Sequence, residues 1–133
     1  MMVAPKNMTD QEQLAWSGLR AAMGLAHETA FEAGWYKSPE TGEPIERNFG
    51  EVVALIHSEL SEALESHRKN LMDDKIPDRI GYEVEFADCI IRILDTAYAL
   101  GLDVPGAIIE KNRFNRKRMD HRLETRAAGG KKY

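Results

Sequence analysis

Four carboxylates stand in two pairs of equal spacing: Glu59 and Glu62, then, after 22 intervening residues, Glu85 and Asp88. Residues three apart on a helix project from one side, and around the first pair that side also carries Val52, Leu55, Ile56 and Ala63. Both pairs are therefore expected to point inward. A carboxylate withdrawn from water is costly unless it is paired or bound to a metal, so two facing pairs predict a cation between them. Oxygen-only donors favour a hard ion, Mg²⁺ first and Mn²⁺ or Ca²⁺ next. Zn²⁺ is disfavoured without a neighbouring Cys/His cluster.

Helices must position these acids. Thr9 and Glu12 have capping-box spacing and open a first helix, whose loose apolar stripe (Leu14, Leu19, Met23, Leu25, Ala26, Ala30) runs to about Gly34. Residues 35–47 hold two prolines and a glycine among polar residues and predict a loop. Asn48 caps a second helix to about Asn70, and an acidic connection, 71–77, leads to a third helix that opens near Pro77 and stops at Gly101. In that helix Ile80, Val84, Ala87, Ile91, Leu94 and Tyr98 predict a core stripe, with Glu85, Asp88, Arg92 and Asp95 as a polar seam beside it. Asp103 caps, and Pro105 begins, a fourth helix that runs into the basic stretch Lys111–Arg118.

Neither strand alternation nor a Gly-rich phosphate loop occurs. The fold class expected is all-α: four helices built on an antiparallel helix 2/helix 3 hairpin. The 133 residues suit a single domain, with about 1–8 and 123–133 expected to be flexible ends. A broadly apolar third helix leaves surface uncovered, so the bundle is expected to be completed by homo-oligomerisation, as a dimer or a dimer of dimers.

The apolar runs fall far short of a membrane span. Lack of an N-terminal apolar h-region, together with a single cysteine, Cys89, leads us to expect a cytoplasmic protein. The net charge of −4 divides unevenly: residues 111–133 carry nine Lys/Arg against two acids, so the rest of the chain is strongly acidic. An acidic body with a basic end suits a metal-complexed polyanion better than nucleic acid, which favours a basic body.

The double motif, Glu59-x-x-Glu62 followed by Glu85-x-x-Asp88, resembles the signature of the all-α NTP pyrophosphatases, the MazG-like and dimeric dUTPase-like superfamily. The blocks 57–65 and 85–95 are similar to MazG-like proteins of phage and bacterial type, and Asp103-Val104-Pro105 is similar to the stretch before the last helix in dCTP pyrophosphatases. The resemblance covers about residues 35–122. It implies a MazG-like bundle and a Mg²⁺-dependent nucleoside triphosphate pyrophosphohydrolase that converts an NTP or dNTP to the monophosphate and pyrophosphate. It also implies Glu59, Glu62, Glu85 and Asp88 as metal ligands, with Glu59 or Glu62 as the catalytic base. Lys111, Asn115 and Arg118, at i, i+4 and i+7, resemble the family's phosphate-binding set, and Trp35 stands near the position of its base pocket. One departure is visible: where full-length MazG has Gly-Glu before the first motif, this chain has His57-Ser58, so a further metal site is not carried over.

Each assignment has a plainer counterpart. The four acids could form ion pairs with Arg92, Arg68 or Arg79, the basic set could be a solvated helix end, and Trp35 could be core. His27, His57 and His67 read as structural or exposed, and Cys89 as a small buried hydrophobe. Another function also fits the composition, a non-catalytic helical module that binds nucleotide or nucleic acid. Pyrophosphate release separates it from the enzyme.

Overall fold

The computed structural model describes residues 2–133, and these contain no strand. Five α-helices follow in order: α1 (Asp10–Glu32), α2 (Phe49–Lys69), α3 (Gly81–Ala99), α4 (Val104–Lys117) and α5 (Leu123–Ala127), with a single 3-10 turn, Met119–His121, before the last. None is long and apolar enough to cross a membrane. Two compact units are distinguished: Met1–Arg20 with Asp103–Tyr133, and Ala21–Leu102.

In the second unit, α2 and α3 pack together more closely than any other pair of long helices. Asn48 caps α2 by accepting a hydrogen bond from the Glu51 amide at 3.0 Å. Asn70 ends it in the left-handed conformation, φ 52°, which asparagine tolerates better than most residues. The buried face of α2 carries Val52, Glu59, Ala63 and Ser66. Small residues let the partner helix approach: a Cβ on Gly81 would collide with the Ser66 hydroxyl and stand 3.2 Å from the Leu71 carbonyl.

Pro77 does not open α3. The Asp73 carboxylate accepts from the amides of Lys75 (2.9 Å) and Ile76 (2.6 Å), and its own amide donates to Arg79 O at 2.9 Å. This side-chain turn holds residues 73–79 out of helical geometry, so α3 begins at Gly81. The expected apolar stripe is buried only in part. Leu94 is buried and Ile80 and Val84 are half-buried, but Ile91 and Tyr98 are each 47% exposed and Ala87 is exposed, while Ala97, Cys89 and the seam residue Asp95 are buried. α2 covers one side of α3, His27, Tyr36 and Arg47 cover Asp95, and much of the remaining apolar surface of α3 stays in solvent. Residues 33–48 form the expected loop, pinched by an isolated bridge between Lys37 and Pro44.

In the first unit the capping box forms in both directions: Thr9 N–H donates to Glu12 Oε2 (2.9 Å) and Glu12 N–H to Thr9 Oγ1 (3.2 Å). Arg113 on α4 then grips the same carboxylate through Nε (3.0 Å) and a terminal nitrogen (2.7 Å), and donates to the carbonyls of Lys6 and Asn7. Together with the cap, that guanidinium holds the Glu12 carboxyl down at about 2. Asp103 caps α4 through the Gly106 amide at 2.9 Å, and Pro105 in the first turn is fully buried. Helical structure continues past Arg122, through Leu123–Ala127, so the four helices expected from periodicity are five.

Candidate metal and phosphate site

Helices α2 and α3 bring three of the four motif carboxylates together. Glu59, Glu85 and Asp88 each offer an oxygen within 4.8 Å of the others; Glu59 is buried, Glu85 half-buried and Asp88 exposed at the rim. Glu62 is exposed on α2 and stands outside this group. Its charge still reaches the site. Burial, then the Glu62 charge, then a hydrogen bond and charge from Glu59, push the Glu85 carboxyl up to about 7. Asp88 is also raised, first by burial and then by Glu59, against the opposing pull of Arg92 and Lys75. Crowded acids that hold on to protons are an electrostatic deficit a cation would relieve, and an all-oxygen donor set fits Mg²⁺ or Mn²⁺.

One cation of the chain already meets this deficit. Arg92, one helical turn beyond Asp88, donates from Nε to Glu59 Oε1 at 2.6 Å. Among the ion pairs considered for these acids, only this one forms: Arg68 lies near Glu65, and Arg79 pairs with Glu83.

One turn further along α3 lies a second polar centre that spacing alone did not assign. Asp95, 3% exposed, accepts from the Tyr36 hydroxyl at 2.8 Å and shares a hydrogen bond with His27 Nδ1 at 2.9 Å; its other oxygen lies 3.5 Å from an Arg47 terminal nitrogen. The His27 ring stacks on Tyr98 at 4.6 Å and meets Tyr36 edge-on at 5.0 Å. Burial and Asp95 raise the Tyr36 phenol to about 12. The i, i+3 and i+7 seam of α3 could have flagged Asp95. Its three partners, 48 to 68 residues away, leave no local signal.

Between the two centres, the Ala21–Leu102 unit holds a cleft of about 250 Å³ lined by Thr29, Trp35, Arg47, Asp88, Arg92 and Asp95 among others. Trp35 is 62% exposed, so it is not a core side chain, and the Arg47 guanidinium lies 5.9 Å from its ring centre.

The Lys111–Asn115–Arg118 set does not form one helical face. Arg118 is the C-cap of α4, with extended backbone (φ −69°, ψ 124°), and its guanidinium binds both oxygens of Asp120. Lys111 and Arg118 flank the Phe114 ring at 4.7 and 5.9 Å, and Asn115 Oδ1 is buried with no hydrogen-bond partner. His57 is exposed, His67 packs edge-on against Tyr82 at 5.3 Å, and Cys89 is buried. No protein-family model, curated protein or solved structure matches this chain.

Proposed function

We propose that this chain is a divalent-metal-dependent nucleoside triphosphate pyrophosphohydrolase that converts an NTP or dNTP to the monophosphate and pyrophosphate. The observation that carries the reading is the convergence of Glu59, Glu85 and Asp88 within 4.8 Å, from two helices, beside a cleft that also presents Trp35 and Arg92. These three carboxylates would hold Mg²⁺ or Mn²⁺, and a bound divalent ion would spread the negative charge that develops in displacement at phosphorus.

Glu62 lies close enough to act on Glu85 electrostatically but is outside the three-acid group. It is the better candidate for the base that takes a proton from the attacking water, since Glu59 is buried and held by Arg92. Trp35 offers an exposed aromatic face for a nucleobase. The resemblance assigns phosphate oxygens to Lys111, Asn115 and Arg118; the orphaned Asn115 Oδ1 is an acceptor and cannot itself bind a phosphate oxygen.

The working state is proposed to be a homo-oligomer. Leu60 and Leu64 on α2, and Phe86, Ile90 and Ile93 on α3, recur at helical spacing and are all more than a third exposed, which is costly surface for a chain working alone. Pyrophosphate release, followed with Mg²⁺ and a panel of ribo- and deoxyribonucleoside triphosphates, tests the reading. A chain that binds these nucleotides without turnover is instead the non-catalytic module.

A further inference from the structure

Arg92 differs from every other arginine of the Ala21–Leu102 unit in what it touches. Its Nε is held at 2.6 Å by Glu59, itself a member of the three-acid group and buried. Among the described residues its two terminal nitrogens donate to no acceptor. About a third of the side chain is open to solvent, and it lines the same cleft as Asp88 and Trp35. A guanidinium anchored at one nitrogen has its plane fixed, so the remaining donors form a preorganised fork suited to two oxygens of one phosphate.

The neighbouring arginines are committed elsewhere. Arg47 is drawn to Asp95 and lies over the Trp35 and Tyr36 rings, while Arg68 and Arg79 are exposed and face Glu65 and Glu83. Electrostatics sharpen the point. The three-acid group would repel a polyphosphate, and even with one divalent ion its charge stays negative, so an anion entering here needs a fixed positive group beside the acids.

We infer that Arg92 is a phosphate-binding residue of this site, gripping a phosphate group of a metal-complexed polyphosphate through its two free terminal nitrogens while Glu59 holds its Nε. This names a contact within the proposed pyrophosphohydrolase site and rests on that reading for its catalytic consequence, though the binding itself does not require turnover.

The test uses the full chain and inorganic magnesium tripolyphosphate as the probe, measured by calorimetry. Arg92→Met, which keeps the apolar stem, should raise the tripolyphosphate Kd at least about tenfold, the scale of a lost charge-assisted hydrogen bond. Arg92→Lys, which keeps the charge but not the fork, should fall between it and the parent, and Arg79→Met should bind as the parent does. Because Arg92→Met leaves Glu59 buried without its partner and could compromise folding, a second measurement uses the parent protein. Tripolyphosphate should protect Arg92 from modification by phenylglyoxal, read by peptide mass spectrometry, and leave Arg79 unprotected. Unchanged binding in a folded Arg92→Met, no protection of Arg92, or no tripolyphosphate binding by the parent overturns the inference. Tripolyphosphate binding that depends on Arg92, in a protein that releases no pyrophosphate from any triphosphate, overturns the proposed activity and leaves the phosphate contact standing.

Discussion

Arg92 Nε and Glu59 Oε1, 33 residues apart in sequence, meet at 2.6 Å across the α2/α3 interface, with the glutamate side chain 8% and the arginine side chain 36% exposed. The pair links the packing of the hairpin to the chemistry proposed for it, because the same carboxylate belongs to the three-acid group.

Removing the arginine while keeping the acid should destabilise the chain. Breaking a fully buried pair costs about 3–5 kcal/mol, and the partial exposure of Arg92 brings the expectation for Arg92→Ala down to about 1–3 kcal/mol. Arg92→Met combined with Glu59→Gln should recover part of that loss, since no uncompensated charge remains. Urea unfolding of both variants beside the parent checks the order.

Glu85 should make the metal-free protein less stable as pH rises. Its carboxyl is raised from 4.5 to about 7, so the folded state binds the proton more tightly than the unfolded state does. That contribution is fully present below 4.5 and is lost between 4.5 and about 7. Glu85→Gln should flatten the stability profile across this window. Mg²⁺ or Mn²⁺ must displace the proton, so binding should release protons at pH 6 and almost none at pH 9, as calorimetry in buffers of different ionisation enthalpy would show.

Metal should stabilise the fold directly. A ligand bound only by the folded state contributes about 2.7 kcal/mol at 100-fold excess over its Kd. The midpoint of thermal unfolding should therefore rise with Mg²⁺ or Mn²⁺ and return with EDTA. An unchanged midpoint would tell against the three-carboxylate site.

Two glutamates on α2 should separate chemistry from surface. Glu62→Gln keeps size and removes the charge proposed to accept a proton, so kcat should fall about 100-fold or more, with the fold intact. Glu65, exposed and paired with Lys69 at 2.6 Å, is the control, and Glu65→Gln should leave pyrophosphate release within about twofold of the parent. Equal damage from both would remove Glu62 from the base role.

Asp95→Ala should cost more than any surface change, about 2–4 kcal/mol, because Tyr36, His27 and Arg47 all lose their acceptor in a buried setting. Tyr36→Phe should cost about 1 kcal/mol. Difference absorbance of this variant against the parent should show the phenol ionising near 12.

Local chemistry was legible in the sequence. The Thr9/Glu12 box and the Asn48 and Asp103 caps depend on side chains reaching backbone a few residues away, the break at Gly101 on a positive φ (67°) that glycine adopts freely, and all four stand in the structure. The i, i+3 spacing was enough to place Glu59 and Glu85/Asp88 on facing helices, because α2 and α3 are joined by a short connection and pair as a hairpin. Tertiary structure decided what periodicity could not. It left Glu62 outside the three-acid group, buried Asp95 in place of Ile91, and joined Arg92 to Glu59. It also took Arg118 off the α4 face by ending the helix there. Arg118 leaves the face because α4 ends locally, with its guanidinium on Asp120 two residues away. The other three share a reason: helical spacing defines which residues share a side, but which side is covered, and by whose charge, depends on partners tens of residues away that leave no trace in the local pattern.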